Sequence, residues 1–214
     1  IDLRIATTIG QVNGTSDAQD NMLGVGFDGG TPTVIEATLP NLPASTGKYE
    51  QAGIWFGYSQ NEVMRLSVAS PAAGSWQLQR HLETGGVAVQ SVAGTQAIPS
   101  GTTVTLRITT DPTTRSVQAS YRIGTTGSFV NLGGALAVPG AFFSFDAAGI
   151  DPAIGTRSFA GIYATGRWSS PRPTFAFTRF SLERATEPPP GQVNSGLSFD
   201  RASHPLAYPT SIAT

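Results

Sequence analysis

Cysteine is absent from this sequence of 214 residues, and only 13% of the residues are charged. Without cysteine the chain has no disulfide framework, no thiolate nucleophile and no zinc–thiolate site. The formal net charge is −1 and no basic patch is readable, which argues against nucleic acid as a partner. No apolar run approaches the ~18 residues of a membrane-spanning helix.

Lysine is scarce as well, because Lys48 is the only lysine among thirteen basic residues. A GC-rich genome, which favours arginine codons, would explain this bias. The functional explanation is that the guanidinium group of arginine binds carboxylates and sugar hydroxyls well. A surface rich in threonine and serine but poor in lysine and glutamate favours an extracellular protein over a cytosolic one. The sequence begins at Ile1 without Met or a leader, so we interpret it as a mature or excised segment.

Glycine and proline are abundant, with 25 and 15 residues, and apolar residues recur at every second position between them. This pattern is typical of short strands joined by many turns, and no amphipathic helix of three turns is readable. The sequence therefore predicts an all-β fold, a two-sheet antiparallel jelly-roll sandwich of roughly ten to thirteen strands.

The residues 49–123 read as five consecutive antiparallel strands that pair in order. If the apolar residues of these strands point inward, the opposite face contains no lysine. It contains one tryptophan, Trp55, which lies between two glycines. A tryptophan face stacks on a pyranose while planar polar groups satisfy its hydroxyls. We therefore predict a glycan-binding surface formed by Trp55, Arg65, Gln79, His81 and Arg107, with Trp168 as an alternative at the rim. The alternative for Trp55 is a place in the core under the second sheet.

Two turns are predicted from local signals. Asp28-Gly29-Gly30 is interpreted as the reversal of a hairpin between residues 21–30 and 31–40. Near the end of the sandwich, the parity of the buried aromatic residues changes between Phe177 and Phe180, which indicates a β-bulge at Thr178-Arg179.

Catalytic patterns are weak. Glycoside hydrolysis needs two carboxylates about 5–10 Å apart, whereas Glu50, Glu62 and Glu83 each stand alone at strand ends and are interpreted as solvated turn acids. Arg65, Arg80, His81 and Tyr121 make a polysaccharide lyase conceivable, but its companion motifs are missing. A serine triad has no supporting G-x-S-x-G motif. The loop acids Asp17 and Asp20, with Asn13 and Asn21, are candidate calcium ligands, although an ordinary polar loop is the favoured explanation.

The composition changes at residues 186–191, where TEPPPG forms a semi-rigid linker. We therefore divide the chain into a sandwich at residues 1–185 and a Pro-rich linker with the start of a following domain or tail at residues 186–214.

Several segments resemble the concanavalin A-like jelly-roll family, in particular its bacterial LamG-like and xylosidase-appended modules. The resemblance covers roughly residues 20–184 and rests on 51–57 (QAGIWFG), 61–66 (NEVMRL), 159–164 (FAGIYA) and 177–182 (FTRFSL). It implies carbohydrate binding on the concave sheet or its rim loops, often with a structural calcium. Thr178 and Arg179 depart from the acidic or amide residues of the closing strand in that family. The tail segments 199–201 and 208–213 resemble the start of a propeller of the glucose/sorbosone-dehydrogenase type.

The sequence thus favours a non-catalytic, extracellular carbohydrate-binding module of a larger secreted protein. Its expected partner is a polysaccharide or glycan, and structural calcium is its one expected cofactor. A structural or adhesive spacer that binds no sugar is the second hypothesis, and a polysaccharide lyase or hydrolase is the third.

Overall fold

The computed structural model of the chain describes residues 2–10, 12–13, 16–17, 21–143, 158–166 and 170–185. This part is formed by strands and one 3-10 helix, Gly140–Phe142. The first strands are β1 (Leu3–Ala6), β2 (Val12–Asn13), β3 (Ser16–Asp17), β4 (Met22–Phe27), β5 (Thr33–Leu39), β6 (Gln51–Ser59), β7 (Glu62–Ala72) and β8 (Ser75–Thr84). The others are β9 (Val87–Ala93), β10 (Val104–Asp111), β11 (Ser116–Ile123), β12 (Val130–Asn131), β13 (Leu136–Ala137), β14 (Ser158–Thr165), β15 (Thr174–Phe177) and β16 (Arg179–Arg184).

Two antiparallel sheets form the sandwich. The front sheet has six strands in the order β4-β14-β6-β7-β8-β9. The back sheet has the order β12-β11-β10-β5-β16, and β13 also pairs with β11. The predicted all-β, two-sheet antiparallel sandwich is therefore confirmed. Within the described residues, no helix has the length and apolarity to cross a membrane.

The core lies between the sheets and is formed by alternate residues of each strand, as the period of two requires. The front sheet contributes Ile54, Phe56, Met64, Leu66, Val68, Leu78, Leu82 and Ile162. The back sheet contributes Ile35, Ala37, Leu39, Val104, Leu106, Ile108, Val117, Ala119, Phe180 and Leu182. At one end Trp76 is fully buried, packs edge-on against Phe175 and donates its indole N–H to the Pro43 carbonyl.

The five strands predicted in residues 49–123 are present as β6, β7, β8, β10 and β11, but the condition that they pair in order within one sheet is not met. β6, β7, β8 and β9 do pair in sequence, but β10 and β11 belong to the back sheet. Between β9 and β10 the chain crosses from the front sheet to the back sheet, and a β-bridge between Trp76 and Ile98 holds this segment. Alternation shows that a strand has one buried face, but it does not show to which of two facing sheets the strand belongs.

The predicted hairpin at Asp28-Gly29-Gly30 is wrong for the same reason. β4 pairs with β14 in the front sheet and β5 pairs with β10 and β16 in the back sheet, so this turn connects the two sheets. Gly29 is required by close packing, because a Cβ there would lie 1.9 Å from the Ser158 hydroxyl. At Thr178-Arg179 the predicted change of parity is confirmed, but it is a break between two strands and not a β-bulge within one: β15 pairs with β1, β16 pairs with β5, and Thr178 separates them.

Glycine lets strands β4 and β14 approach closely on the outer face of the front sheet. A Cβ on Gly161 of β14 would lie 1.8 Å from the Leu23 carbonyl oxygen and 2.7 Å from the Gly24 Cα. These are backbone atoms, so neither can move away without separating the strands. Gly134, in a surface loop, has open space at the same position.

We expect Gly161→Ala to lower the free energy of unfolding by roughly 1–3 kcal/mol, because the added methyl group overpacks two paired strands. Urea denaturation measures the change as a lower midpoint at unchanged slope. Gly134→Ala is the matched control and should be neutral or slightly stabilising. Equal midpoints for the two variants would contradict the close approach of β4 and β14.

Candidate binding face of the front sheet

The outer face of the front sheet is built from rows of residues that lie opposite one another on neighbouring strands. One row crosses all six strands and contains Gly24, Gly161, Trp55, Arg65, His81 and Ser91. The adjacent row contains Met22, Tyr163, Gly53, Ser67, Gln79 and Ala93. The register thus places four of the predicted residues, Trp55, Arg65, Gln79 and His81, on one face.

Trp55 forms an aromatic floor on this face. Its indole N–H donates to the Leu23 carbonyl at 3.0 Å, and a Cβ on Gly24 would lie 2.3 Å from the ring. The residue is only 7% exposed and packs with Val63 and Tyr163 in a cluster separate from the core between the sheets. Trp55 therefore lies flat on its own sheet. It is neither the open stacking surface that the sequence suggested nor a core residue beneath the second sheet.

A buried ion pair lies beside this floor. Arg65 donates from Nη2 to Glu83 Oε1 at 2.5 Å, and the side chains are 3% and 0% exposed. His81 Nε2 lies 3.0 Å from the same oxygen, with its side chain 15% exposed. The interpretation of Glu83 as a solvated turn acid is wrong, since this carboxylate is enclosed by two side chains from the same face. Glu50 is also fully buried, where the backbone N–H and hydroxyl of Thr46 donate to its carboxylate.

Tyr163 completes the buried part of the face. Its hydroxyl donates to Gln51 Oε1 at 3.1 Å. Burial raises the pKa of this phenol, and the Glu83 charge adds to the increase, whereas the Arg65 charge and a hydrogen bond from Ser67 act in the opposite direction. The Tyr163 side chain therefore stays neutral through the physiological range.

Solvent reaches this face mainly at polar, uncharged side chains. Gln77, Gln79 and His81 follow one another at alternate positions of β8 and are half-buried, as is Gln51 of β6. Amide and neutral imidazole groups each offer a donor and an acceptor. Chemically, the face can accept and donate hydrogen bonds to an uncharged polar ligand above an aromatic floor.

Arg107 does not belong to this face. It lies on β10, on the outer side of the back sheet, where Nε donates to Glu36 Oε2 at 2.6 Å and the guanidinium stacks 3.5 Å from the centre of the Phe129 ring. Its grouping with Trp55 required five strands in one sheet, which the topology contradicts. Of the lyase candidates, Arg80 has the parity of the core residues Leu78 and Leu82, and Tyr121 lies on β11 of the back sheet.

Three predicted residues remain without a structural test. Trp168 and Asp20 lie outside the described residues, and Asp17 is described only as part of strand β3. Within the described residues, no group of three or more histidine, aspartate or glutamate side chains is placed to hold a metal ion. The interpretation of residues 186–214 also lies outside the described part.

Sequence reasoning missed Glu83 and Tyr163 as members of the face. The signal was available, because Glu83 follows His81 by two residues and Tyr163 shares the parity of Gly161. The sequence did not show that β14 pairs with β6, because these two strands lie about one hundred residues apart.

Comparisons with known proteins support the fold. No family model and no curated protein matches the chain. A Bacteroides ovatus structure described as xyloglucan PUL GH43B is similar at 15% identity with a TM-score of 0.62, covering 86% of this chain and 32% of that one. The xylan beta-1,4-xylosidase of Bacillus halodurans C-125 is similar at 16% identity and a TM-score of 0.61, covering 85% and 32%.

The GH43 protein BlXynB of Bacillus licheniformis is similar at 16% identity with a TM-score of 0.59 and the same coverage, 85% of this chain and 32% of that one. The chain thus spans about a third of the length of each of these proteins. At this identity the likeness shows a shared β-sandwich fold.

We expect Glu83→Gln to be strongly destabilising, by about 3–5 kcal/mol, because it leaves the Arg65 charge buried without its carboxylate. Glu183→Gln is the matched control: it removes the carboxylate of another Arg–Glu pair, with Arg179, in which both side chains are 41% exposed. That change should cost at most about 1 kcal/mol. Chemical denaturation of both variants measures the difference. A loss of similar size in both would contradict the burial of the Arg65–Glu83 pair.

We expect Tyr163→Phe to weaken the fall in stability at alkaline pH. The native pKa of Tyr163 is raised, so the unfolded chain releases this proton first, near pH 10. The contribution of Tyr163 to stability is therefore complete below about pH 10 and declines as the pH rises towards the native pKa. Burial also raises the pKa of Tyr58, so part of the decline remains in the variant.

Urea denaturation at about pH 8 and about pH 11 gives the comparison, on either side of the ordinary tyrosine pKa. Tyr121→Phe is the control for the loss of a hydroxyl group from the half-buried Tyr121 of the back sheet. An alkaline decline that is unchanged in Tyr163→Phe, or reduced equally in both variants, would contradict this assignment.

Proposed function

We propose that this chain is a carbohydrate-binding module that holds an uncharged glycan on the outer face of the front sheet. The row of half-buried Gln77, Gln79 and His81 along β8, with Gln51 nearby, is the observation that carries the proposal. Each sugar hydroxyl is both a donor and an acceptor, and these side chains match it in both senses. They also project from a rigid strand, so little conformational freedom is lost on binding.

The chemistry of the face favours a neutral ligand over an acidic one. Its two ionic side chains, Arg65 and Glu83, are paired with each other and buried. An acidic sugar would compete with Glu83 for Arg65 and would be repelled by the carboxylate that remained. The half-buried amide groups of Gln51, Gln77 and Gln79 carry no such penalty.

We further propose that the module binds without cleaving. Hydrolysis by the common two-carboxylate mechanism requires a pair of acids, and among the described residues of this face Glu83 is the one acid. Its Oε1 already accepts from Arg65 and lies within hydrogen-bonding distance of His81. The raised pKa of Tyr163 also makes this phenol a poor base near neutral pH.

The proposed setting follows the sequence resemblance to concanavalin A-like modules of secreted proteins. A place in a larger extracellular protein, and calcium binding by Asp17 and Asp20, stay predictions. Two of the similar structures carry xylan and xyloglucan in their descriptions, so oligosaccharides of these two polymers are the first ligands to test.

A spacer that docks neighbouring domains is the second candidate. The burial of Trp55 and Arg65 favours it, because these two side chains add to the stability of the sheet and offer little free surface. A glycan array with the intact chain separates the candidates: binding to at least one glycan class supports the module, and no binding supports the spacer.

For the binding module we expect Gln79→Ala and His81→Ala each to weaken affinity severalfold, since one net hydrogen bond contributes about 1 kcal/mol. Calorimetric titration with the glycan chosen from the array measures this. Thr109→Ala, on the outer face of the back sheet, is the control and should bind like the parent chain.

Two outcomes would contradict parts of this proposal. If Arg107→Ala abolished binding while Gln79→Ala did not, the site would lie on the back sheet. If incubation with the bound polysaccharide released new reducing ends or unsaturated products, the module would be catalytic.

A further inference from the structure

Strand β9 is an unprotected edge of the front sheet. Among the described residues it pairs with β8 alone, and every residue of Val87–Ala93 is exposed except the half-buried Val92. An edge strand presents a row of backbone N–H and C=O groups that can pair with another extended strand. A strand of seven residues is about 23 Å long, long enough for a full ladder of hydrogen bonds.

Most of the usual protection of edge strands is missing here. Proteins shield exposed edges with charged residues, prolines, bulges or very short strands. The sequence from Gly85 to Ile98 contains no charged residue and no proline. One register shift lies within β9: Ala88 pairs with Glu83 and Gln90 pairs with Leu82, so Val89 forms a bulge. The edge of the back sheet differs, because β16 carries Arg179, Glu183 and Arg184.

Apolar side chains are concentrated on the same side of the sandwich. Val87 and Val89 of β9 are 61% and 54% exposed, and Val130 of the back-sheet edge strand β12 is 53% exposed. These three are among the four most exposed of the large apolar side chains found on the described surface. Together they give the side of the sandwich next to β9 an apolar character that solvent does not favour.

Arg80 holds the two sheet edges together on this side. Its buried guanidinium donates from Nη1 to the Gly134 carbonyl at 2.5 Å and from Nη2 to Gln90 Oε1 at 2.8 Å. Gln90 lies in the middle of β9, and Gly134 follows the strand β12. β9 is therefore braced by a side chain at its centre, and its exposed edge is an ordered surface.

We propose that a second copy of this chain pairs with β9, so that two front sheets join as one continuous antiparallel sheet. The strand suits pairing with itself. Its polar residues, Gln90 and Ser91, lie near the middle, and its apolar residues lie towards both ends. An antiparallel arrangement about a two-fold axis at Gln90 opposes Val87 to Ala93 and Ala88 to Val92, Val89 faces Ser91, and no like charges meet.

The pairing has a consequence for the glycan-binding face. A two-fold axis perpendicular to the joined sheet keeps both outer faces on the same side of the dimer. Two copies of the face then lie side by side, and a polymeric glycan can contact both, which raises the overall affinity without any new contact within one copy. The self-pairing itself stands on the edge strand and does not depend on glycan binding.

The mass of the intact chain in solution, measured by sedimentation or light scattering, tests the pairing. We expect twice the 22.3 kDa of one chain, dissociating on dilution. Val89→Lys should shift the molecule to the monomer, because a charge on each copy opposes pairing of the strands. Leu23→Lys, at a side chain that is 50% exposed on the opposite edge strand β4, is the matched control and should stay dimeric. Circular dichroism should show the same strand content in both variants.

Single cysteines locate the contact, because the chain has none of its own. In a two-fold arrangement only the residue on the axis meets its own copy, so Gln90→Cys should form a disulfide-linked dimer, and Leu23→Cys should not. A monomer at all concentrations would overturn the proposal. So would a dimer lost in both lysine variants, and so would cross-linking only at position 23.

Discussion

The ion pair between Arg65 and Glu83 is the interaction on which the outer face of the front sheet depends. Removing a carboxylate from water costs several kcal/mol unless a cation and hydrogen bonds compensate, and Glu83 is fully buried. Its partner reaches it because β7 and β8 pair with Arg65 opposite His81 and with Val63 opposite Glu83. A slip of one residue would turn Arg65 into the apolar core, so the pair and the register support each other.

The same face explains why its tryptophan is not a free platform. Gly161 and Gly24 lie on the two strands beyond Trp55, and without side chains there the indole can lie on the sheet and reach the Leu23 carbonyl. The centre of the face is thereby buried, and the proposed recognition rests on the half-buried amide and imidazole groups of β8. Stability and proposed binding therefore use different residues of one surface: Trp55, Arg65 and Glu83 stabilise it, and Gln77, Gln79 and His81 are proposed to meet the ligand.

Much of the local structure could be predicted from the sequence. The alternation identified the long strands and the change of parity at Thr178, because side-chain period and aromatic parity are local properties. It also placed Arg65, Gln79 and His81 on one face, since β6, β7 and β8 are joined by short turns and pair in sequence. The placement of Arg107 failed because the chain changes sheets between β9 and β10. The interpretation of Glu83 failed because its position near a strand end suggested solvent exposure.

The sequence by itself determined that this protein is an all-β sandwich, which side of each long strand faces the core between the sheets, and that the chain carries few charges and a net charge near zero. These properties follow from residue periodicity and composition, which are local. Only the tertiary structure decided which strands share a sheet, that Tyr163 lies near Ser67 and Gln51, and that β9 is left at an edge. Those features depend on pairing between strands far apart in the chain. An alternating pattern fits any of several neighbours equally well, and the packing of the whole sandwich selects one.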